Sequence, residues 1–326
     1  MITKSDVKQK IKELRPRISD KSIITYFTTV HNVGKYLTGE VQSHKIDDLE
    51  FLLDVEGVLE YFDSKGFTPA TQRTYLGQII SVFEAFNALN KYEFSPIQDQ
   101  YGEILETLIL EAQNKRKKNP NESSARQKAN WLDWEDIKEF HKKTKETLEH
   151  FGLPKEDMDV DEKMMYVNYI ILSLYCADED NPPLRNDYAN MRVVDDEEKT
   201  DDEHNFLITS KPMRFMLNDY KTVKTYGKAI LPVGKVLQPI LEEYLTYNDS
   251  GYLINDAMGN PISTNVLSQR LIKMFADGVG KRISTQLLRH SYITHHLPPE
   301  ERKRKVLAKK MLHSPQMNME YSLYIE

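Results

Sequence analysis

Apolar residues recur at helical spacing through the first hundred residues of the chain. One run extends over residues 24–37 in steps of three or four, directly after Ser19-Asp20, a pair that can cap a helix N-terminus. Similar runs cover residues 49–62 and 104–110, and another begins at Thr68-Pro69, with proline at the tolerated first turn. The pattern predicts a helical first domain of four or five helices.

The pattern changes in the second half of the chain. A strongly apolar helix is expected at residues 164–176, and helices return at 236–244 and 263–276 and continue to the end. Between them, short strand-like segments lie at residues 191–194, 205–209 and 229–233. We therefore expect a mainly α (α+β) protein, in which a second, mostly helical domain carries a small antiparallel sheet.

A polar segment separates these two periodic regions. Residues 114–128 have no apolar periodicity, are rich in charge, and include asparagine, proline and serine. A chain of 326 residues is also long enough for two domains, each with its own core. The predicted organisation is a helical domain at 1–114, a basic linker at 115–130 and a second domain at 131–326.

The charge of the chain is unevenly distributed. Its net charge of -6 and pI near 5.9 are not typical of a nucleic-acid binder, but residues 195–203 are acidic and two other segments are basic. Such local patches matter more than net charge in contacts with phosphates. The second basic segment is equally consistent with a solvated helix face. The candidate DNA-contacting residues are Lys115, Arg116, Lys117, Lys118, Arg302, Lys303, Arg304 and Lys305.

The single cysteine, Cys176, excludes an intramolecular disulfide and a cysteine-based zinc site. Its apolar neighbours predict a packing role in a buried helix. No stretch approaches the roughly 20 apolar residues of a membrane span, and the N-terminus has no signal-peptide pattern. We expect a soluble, intracellular protein; nucleus, cytoplasm and viral factory all remain open as compartments.

The last forty residues carry the chemistry. Arg289-His290 is followed by His313 and then by two tyrosines, Tyr321 and Tyr324. A tyrosine oxygen is a poor nucleophile because its pKa is about 10, so attack on a phosphodiester needs cationic donors around the phosphoryl oxygens. Arginine suits this task because its planar fork grips a phosphate with two hydrogen bonds.

This segment resembles the catalytic C-terminus of tyrosine recombinases, the phage-integrase family. Their pattern is His-x-x-Arg-His, then Leu-Gly-His, then a tyrosine. Here the corresponding residues are Gln286 to His290, followed by Leu312-His313. The family's tyrosine position falls on Ser322, so Tyr321 requires the smaller shift and Tyr324 is the alternative nucleophile.

The resemblance also implies an upstream arginine after a buried helix, and Arg185 stands at that point. Its context departs from the common Gly-Leu-Arg-x-x-Glu, because Leu184 follows a proline and Asp187 comes two residues after the arginine. Gln286 stands where the family most often has histidine. Glutamine donates a hydrogen bond to a phosphate oxygen but does not exchange a proton near neutral pH.

A catalytic lysine is implied in a strand-turn-strand hairpin ahead of a proline that ends the second strand. Lys224 has this spacing relative to Pro232, with Tyr226-Gly227 as the predicted turn. Lys221 is the alternative. In the family's chemistry the lysine protonates the departing 5′ oxygen, which is costly to release as an alkoxide.

The resemblance implies a site-specific DNA recombinase or integrase of a mobile element or virus. Such enzymes form a 3′-phosphotyrosine intermediate on double-stranded DNA and act as homotetramers on two sites, without metal, ATP or another cofactor. His290, His295 and His296 lack a carboxylate at ligand spacing in the sequence, so we expect no metal there. Two alternatives remain, a type IB topoisomerase and a catalytically inactive DNA-binding relative.

Overall fold

The structure of the chain is a computed structural model that divides into two compact units, Met1–Glu122 and Ser123–Glu326. Each unit has a hydrophobic core of its own. Mostly helical secondary structure with a small sheet confirms the mainly α, α+β fold class. The residues described are 2–16, 18–39, 45–86, 95–118 and 123–296, with the backbone alone described at 21, 95–96 and 115–118.

The first unit is built from five helices and a two-stranded antiparallel sheet within its described residues. Ser19 caps the helix that begins at Asp20 by accepting from the Ser22 N–H, and another helix begins at Pro69, as the sequence predicted. The first helix was not predicted, because it buries only Val7 and Ile11 and so has little periodicity. The elements are β1 (Ile2–Thr3), α1 (Lys4–Leu14), α2 (Asp20–Thr38), β2 (Lys45–Ile46), α3 (Val55–Ser64), α4 (Pro69–Phe86) and α5 (Ser95–Lys118).

The segment predicted as a linker is partly helical. The last helix of the first unit continues through Lys118, and a short helix with a Ser124 capping box follows at Ala125–Ala129. Lysine and arginine have good helix propensity, so the helix continues through residues 115–118 without an apolar stripe. The boundary between the compact units lies between Glu122 and Ser123.

The second unit surrounds one central helix. From Tyr166 to Cys176 nearly every side chain of this helix is buried, and neighbouring helices pack around it. Cys176 is part of this core, which confirms the predicted packing role. The elements are α6 (Ala125–Ala129), α7 (Trp134–His150), α8 (Val160–Cys176), β3 (Arg192–Val194), β4 (Phe206–Ile208), β5 (Arg214–Leu217), α9 (Val223–Tyr226), β6 (Ala229–Pro232), α10 (Leu237–Tyr247), α11 (Thr264–Val279) and α12 (Thr285–His296).

The sheet of the second unit has the order β3-β4-β5-β6. It is antiparallel except between β3 and β4, which run parallel with Arg192 opposite Phe206. The third strand was not predicted: Phe215, Met216 and Leu217 are all buried, so the alternation typical of a half-exposed strand is absent. Among the described helices, none combines the length and apolar character that a membrane crossing requires.

Candidate active site

Arg185 lies in a turn whose backbone is hydrogen-bonded to the central helix, α8. The Tyr175 hydroxyl of α8 donates to the Arg185 carbonyl at 2.7 Å, and the Arg185 N–H donates to Asp187 Oδ2 at 3.2 Å. Tyr188 donates back to the Leu174 carbonyl at 3.1 Å, and its ring meets Tyr175 edge to face. These contacts fix the backbone on both sides of Arg185, while its side chain stays half-buried.

Arg289 lies on α12, at the edge of its buried face. Leu288 is fully buried, and the Ser291 hydroxyl donates to the Leu132 carbonyl at 2.9 Å, which anchors the helix beside α7. Gln286 is exposed one turn before Arg289, with its Nε2 3.5 Å from His290 Nε2. Residues three apart share a helix face, so Gln286 and Arg289 point in the same direction.

The fold brings the two arginines together, although 103 residues separate them in the chain. Burial, followed by the positive charge of Arg185, lowers the pKa of Arg289. Burial raises the pKa of Asp187, and the positive charges of both arginines offset part of that rise. Among the described residues neither guanidinium forms an ion pair with a carboxylate. Two neighbouring positive charges that no carboxylate in this part of the chain pairs with form a site that favours an anion.

Asn205 ties this turn to the connection between β5 and β6. Its amide nitrogen donates to the carbonyls of Asp187 at 3.1 Å and Asp219 at 2.9 Å. Its amide oxygen accepts from the N–H groups of Asn218 at 2.9 Å and Asp219 at 2.8 Å. The sequence reasoning missed this positioning residue; the only signal was an asparagine directly before an apolar strand.

The two candidate lysines lie in that connection. It is longer than the predicted Tyr226-Gly227 turn: Lys221 is in a turn, and Lys224 is on α9, a single helical turn. Gly227 ends this turn with φ +72°, a conformation that favours glycine, and its carbonyl accepts from the Tyr220 hydroxyl at 2.7 Å. Both lysines are exposed, and β6 ends at Pro232 as predicted.

The acidic run folds back on basic groups of the sheet. Glu197 pairs with Arg214 at 3.0 Å and with Lys228 at 3.6 Å, and Asp201 pairs with Arg192 at 3.3 Å. These exposed pairs contribute little stability individually. They place positive groups against two of the carboxylates of the acidic run.

Several predicted site residues lie outside the described residues. These are His313, Tyr321, Tyr324 and the basic run 302–305. Residues 115–118 belong to α5, with the backbone alone described. Of the predicted site, the structure therefore brings together Arg185 and Arg289, with Gln286 on the same helix as Arg289.

One group of side chains within the described part of the chain has donor atoms suited to a metal ion. Glu179, His295 and His296 are exposed, and one donor atom from each lies within 4.8 Å of the others. Glu179 comes just before the Arg185 turn, and the histidines end α12.

No protein-family model and no curated protein matches the chain. Among solved structures, it is similar to XerA recombinase with a TM-score of 0.34, and to a lambda integrase dimer bound to a COC′ core site with a TM-score of 0.46. In each case the identity is 12%, and the match covers 99% of this chain and 94% of the other. The functional interpretation therefore depends on the residues of the site.

Proposed function

We propose that the chain is a site-specific DNA strand-transferase of the tyrosine-recombinase type. The observation that carries this proposal is the proximity of Arg185 and Arg289, the two arginines that the resemblance to the family had singled out. A phosphodiester placed between them relieves their mutual repulsion and accepts hydrogen bonds from both guanidinium forks. Gln286, on the same helix face, supplies a further donor.

In the proposed reaction, the Tyr321 phenol gives its proton to solvent and its oxygen attacks the scissile phosphorus, while the bond to the 5′ oxygen breaks. This leaves a 3′-phosphotyrosine, which a 5′ hydroxyl from another strand later attacks to restore the phosphodiester. Arg185, Arg289 and His313 stabilise the charge on the phosphoryl oxygens. Lys224, or Lys221 in its place, protonates the leaving 5′ oxygen. Each phosphoryl transfer conserves one phosphodiester-type bond, so the reaction requires no ATP.

We propose that the basic blocks at 115–118 and 302–305 contact the DNA backbone. A contrast within the chain supports a role for the first block. The exposed lysines of α7, Lys142, Lys143 and Lys145, each pair with a glutamate one helical turn away. The run 115–118 has four consecutive basic residues, with Glu111 as the acidic residue one turn before it. We expect the protein to assemble as a homotetramer on two DNA sites.

Covalent trapping tests the chemistry. The full chain is incubated with a pool of random-sequence duplexes that carry a nick near the centre, and adducts that survive detergent are isolated and sequenced. We expect an adduct with the wild-type protein and with Tyr324→Phe, and none with Tyr321→Phe. The opposite result for the two variants assigns the nucleophile to Tyr324.

Two other results contradict the proposal. The absence of any adduct, together with DNA binding that weakens steeply with salt, identifies an inactive DNA-binding relative, an outcome that Gln286 favours. Relaxation of supercoiled plasmid without sequence preference identifies a type IB topoisomerase. A recombinase instead enriches one sequence in the trapped pool.

A further inference from the structure

The end of α12, the turn after α8 and the start of α7 meet in a cluster of imidazole and carboxylate groups. Glu179, His295 and His296 each direct a donor atom to one place. Glu135 lies next to this group rather than in it, with its Oε1 3.4 Å from His295 Nε2. Two zinc ligands in tetrahedral coordination, with bonds of 2.0–2.1 Å, are about 3.4 Å apart. This pair therefore already has the separation of two ligands on one ion.

The location is also one that attracts a cation. The Lys138 ammonium lies between the two carboxylates, 2.9 Å from Glu135 Oε1 and 3.2 Å from Glu179 Oε1. The glutamate side chains are more than half exposed, so an incoming ion reaches them directly and competes with the lysine for them.

We propose that Glu179, His295 and His296 bind a borderline transition-metal ion such as Zn²⁺, with Glu135 as a fourth ligand. Imidazole nitrogen with carboxylate oxygen suits Zn²⁺, Ni²⁺ or Co²⁺, whereas Mg²⁺ and Ca²⁺ prefer oxygen alone. The ion connects the end of α12 to the turn after α8, where the Tyr292 hydroxyl already donates to the Glu179 carbonyl at 2.9 Å. The site is structural and independent of the proposed strand transfer.

Calorimetric titration of the metal-free full chain with ZnCl₂ tests the site. We expect one ion per chain, no heat from MgCl₂, and an affinity that falls at least about tenfold in Glu179→Gln and in His296→Ala. His150→Ala, which removes an exposed histidine at the end of α7, is the matched control and should leave the affinity unchanged. Zinc should also raise the melting temperature of the wild type but not that of His296→Ala.

Lys138→Met provides an independent arm. This change removes the competing ammonium, so zinc affinity should increase, a gain that a misfolded variant does not produce. Absence of one-to-one binding overturns the proposal. So does binding that persists at wild-type affinity in both Glu179→Gln and His296→Ala, because the ion is then held elsewhere in the chain.

Discussion

At the scale of single residues, the proximity of Arg185 and Arg289 lowers the stability of the folded protein. Both side chains are half-buried, and each places a positive charge near the other. Asp187 compensates them incompletely, because its own burial raises its pKa and disfavours the carboxylate. Arrangements that oppose stability in this way concentrate at functional sites.

Replacement of Arg289 should therefore separate activity from stability. We expect Arg289→Gln to lower the single-turnover rate of adduct formation by about 10²–10³-fold, the usual loss when one donor to a developing oxyanion is removed. The free energy of unfolding should be retained or increased, since a desolvated like charge is removed. Rates are measured on the sequence recovered by trapping, and unfolding in urea.

Arg282→Gln is the matched control. Arg282 is an exposed arginine shortly before α12, and its backbone N–H donates to Asn130. Its removal should change neither the rate nor the stability. A wild-type rate in Arg289→Gln would exclude this arginine from the reaction.

At the scale of elements, the site depends on links between segments that connect the long helices and strands. The Arg185 turn and the β5–β6 connection, which contains only the single turn of α9, are both such segments, and they need anchors to hold their side chains in place. Asn205, 7% exposed, supplies the link with four hydrogen bonds to backbone groups. Buried backbone groups that lose their partners carry a full desolvation penalty.

We expect Asn205→Ala to lower the free energy of unfolding by about 3 kcal/mol, because several buried N–H and C=O groups lose their partners at once. Urea unfolding followed by tryptophan fluorescence measures this effect in the second unit, since Trp131 and Trp134 are the only tryptophans. Asn265→Ala, at an exposed position of α11, should have almost no effect. Equal stability of the two variants would show that the Asn205 hydrogen bonds are dispensable.

At the scale of the whole molecule, each compact unit is held by its own core, and the second depends on the contact between α7 and α8. His141 lies in that contact, stacked on Tyr169, with Nε2 2.8 Å from the Ser173 hydroxyl. That hydroxyl donates its single proton to the Tyr169 carbonyl, so the imidazole Nε2–H is the donor to Ser173. Burial lowers the pKa of His141 to about 4.

This pKa makes the second unit sensitive to acid. Below pH 6.5 the unfolded chain takes up a proton at His141 that the folded chain binds only near pH 4, so stability falls as the pH decreases through this window. The expected loss is about 3 kcal/mol between pH 7 and pH 4, at about 1.4 kcal/mol per unit. Urea unfolding at a series of pH values measures it.

His141→Gln keeps a donor for Ser173 but does not titrate. Above pH 7, the free energy of unfolding should therefore depend on pH in the same way in the wild type and in the variant. Between pH 6.5 and pH 4, it should fall more steeply in the wild type. Parallel stability curves for the two proteins across that window would contradict a neutral, partly buried His141.

Local sequence determined the helices and the order of the candidate residues. Caps and apolar periodicity act within a few residues, so the starts of α2 and α4 were predictable from Ser19 and Pro69. The prediction failed where the local signal is weak, because α1 has too few buried residues and β5 is buried on both faces. The resemblance of Arg185 and Arg289 to a known motif came from their order in the chain and from the residues beside them.

Only the tertiary structure decided which of these residues meet. The proximity of Arg185 to Arg289, and of Glu179 to His296, closes loops of more than a hundred residues, and no local pattern encodes such a closure. For the same reason the sequence did not identify Asn205 as the link between the Arg185 turn and the β5–β6 connection. Nor did it show a carboxylate partner for the histidines of α12. The sequence specified the chemical groups, and packing around α8 set the distances between them, because only a folded core holds distant segments in register.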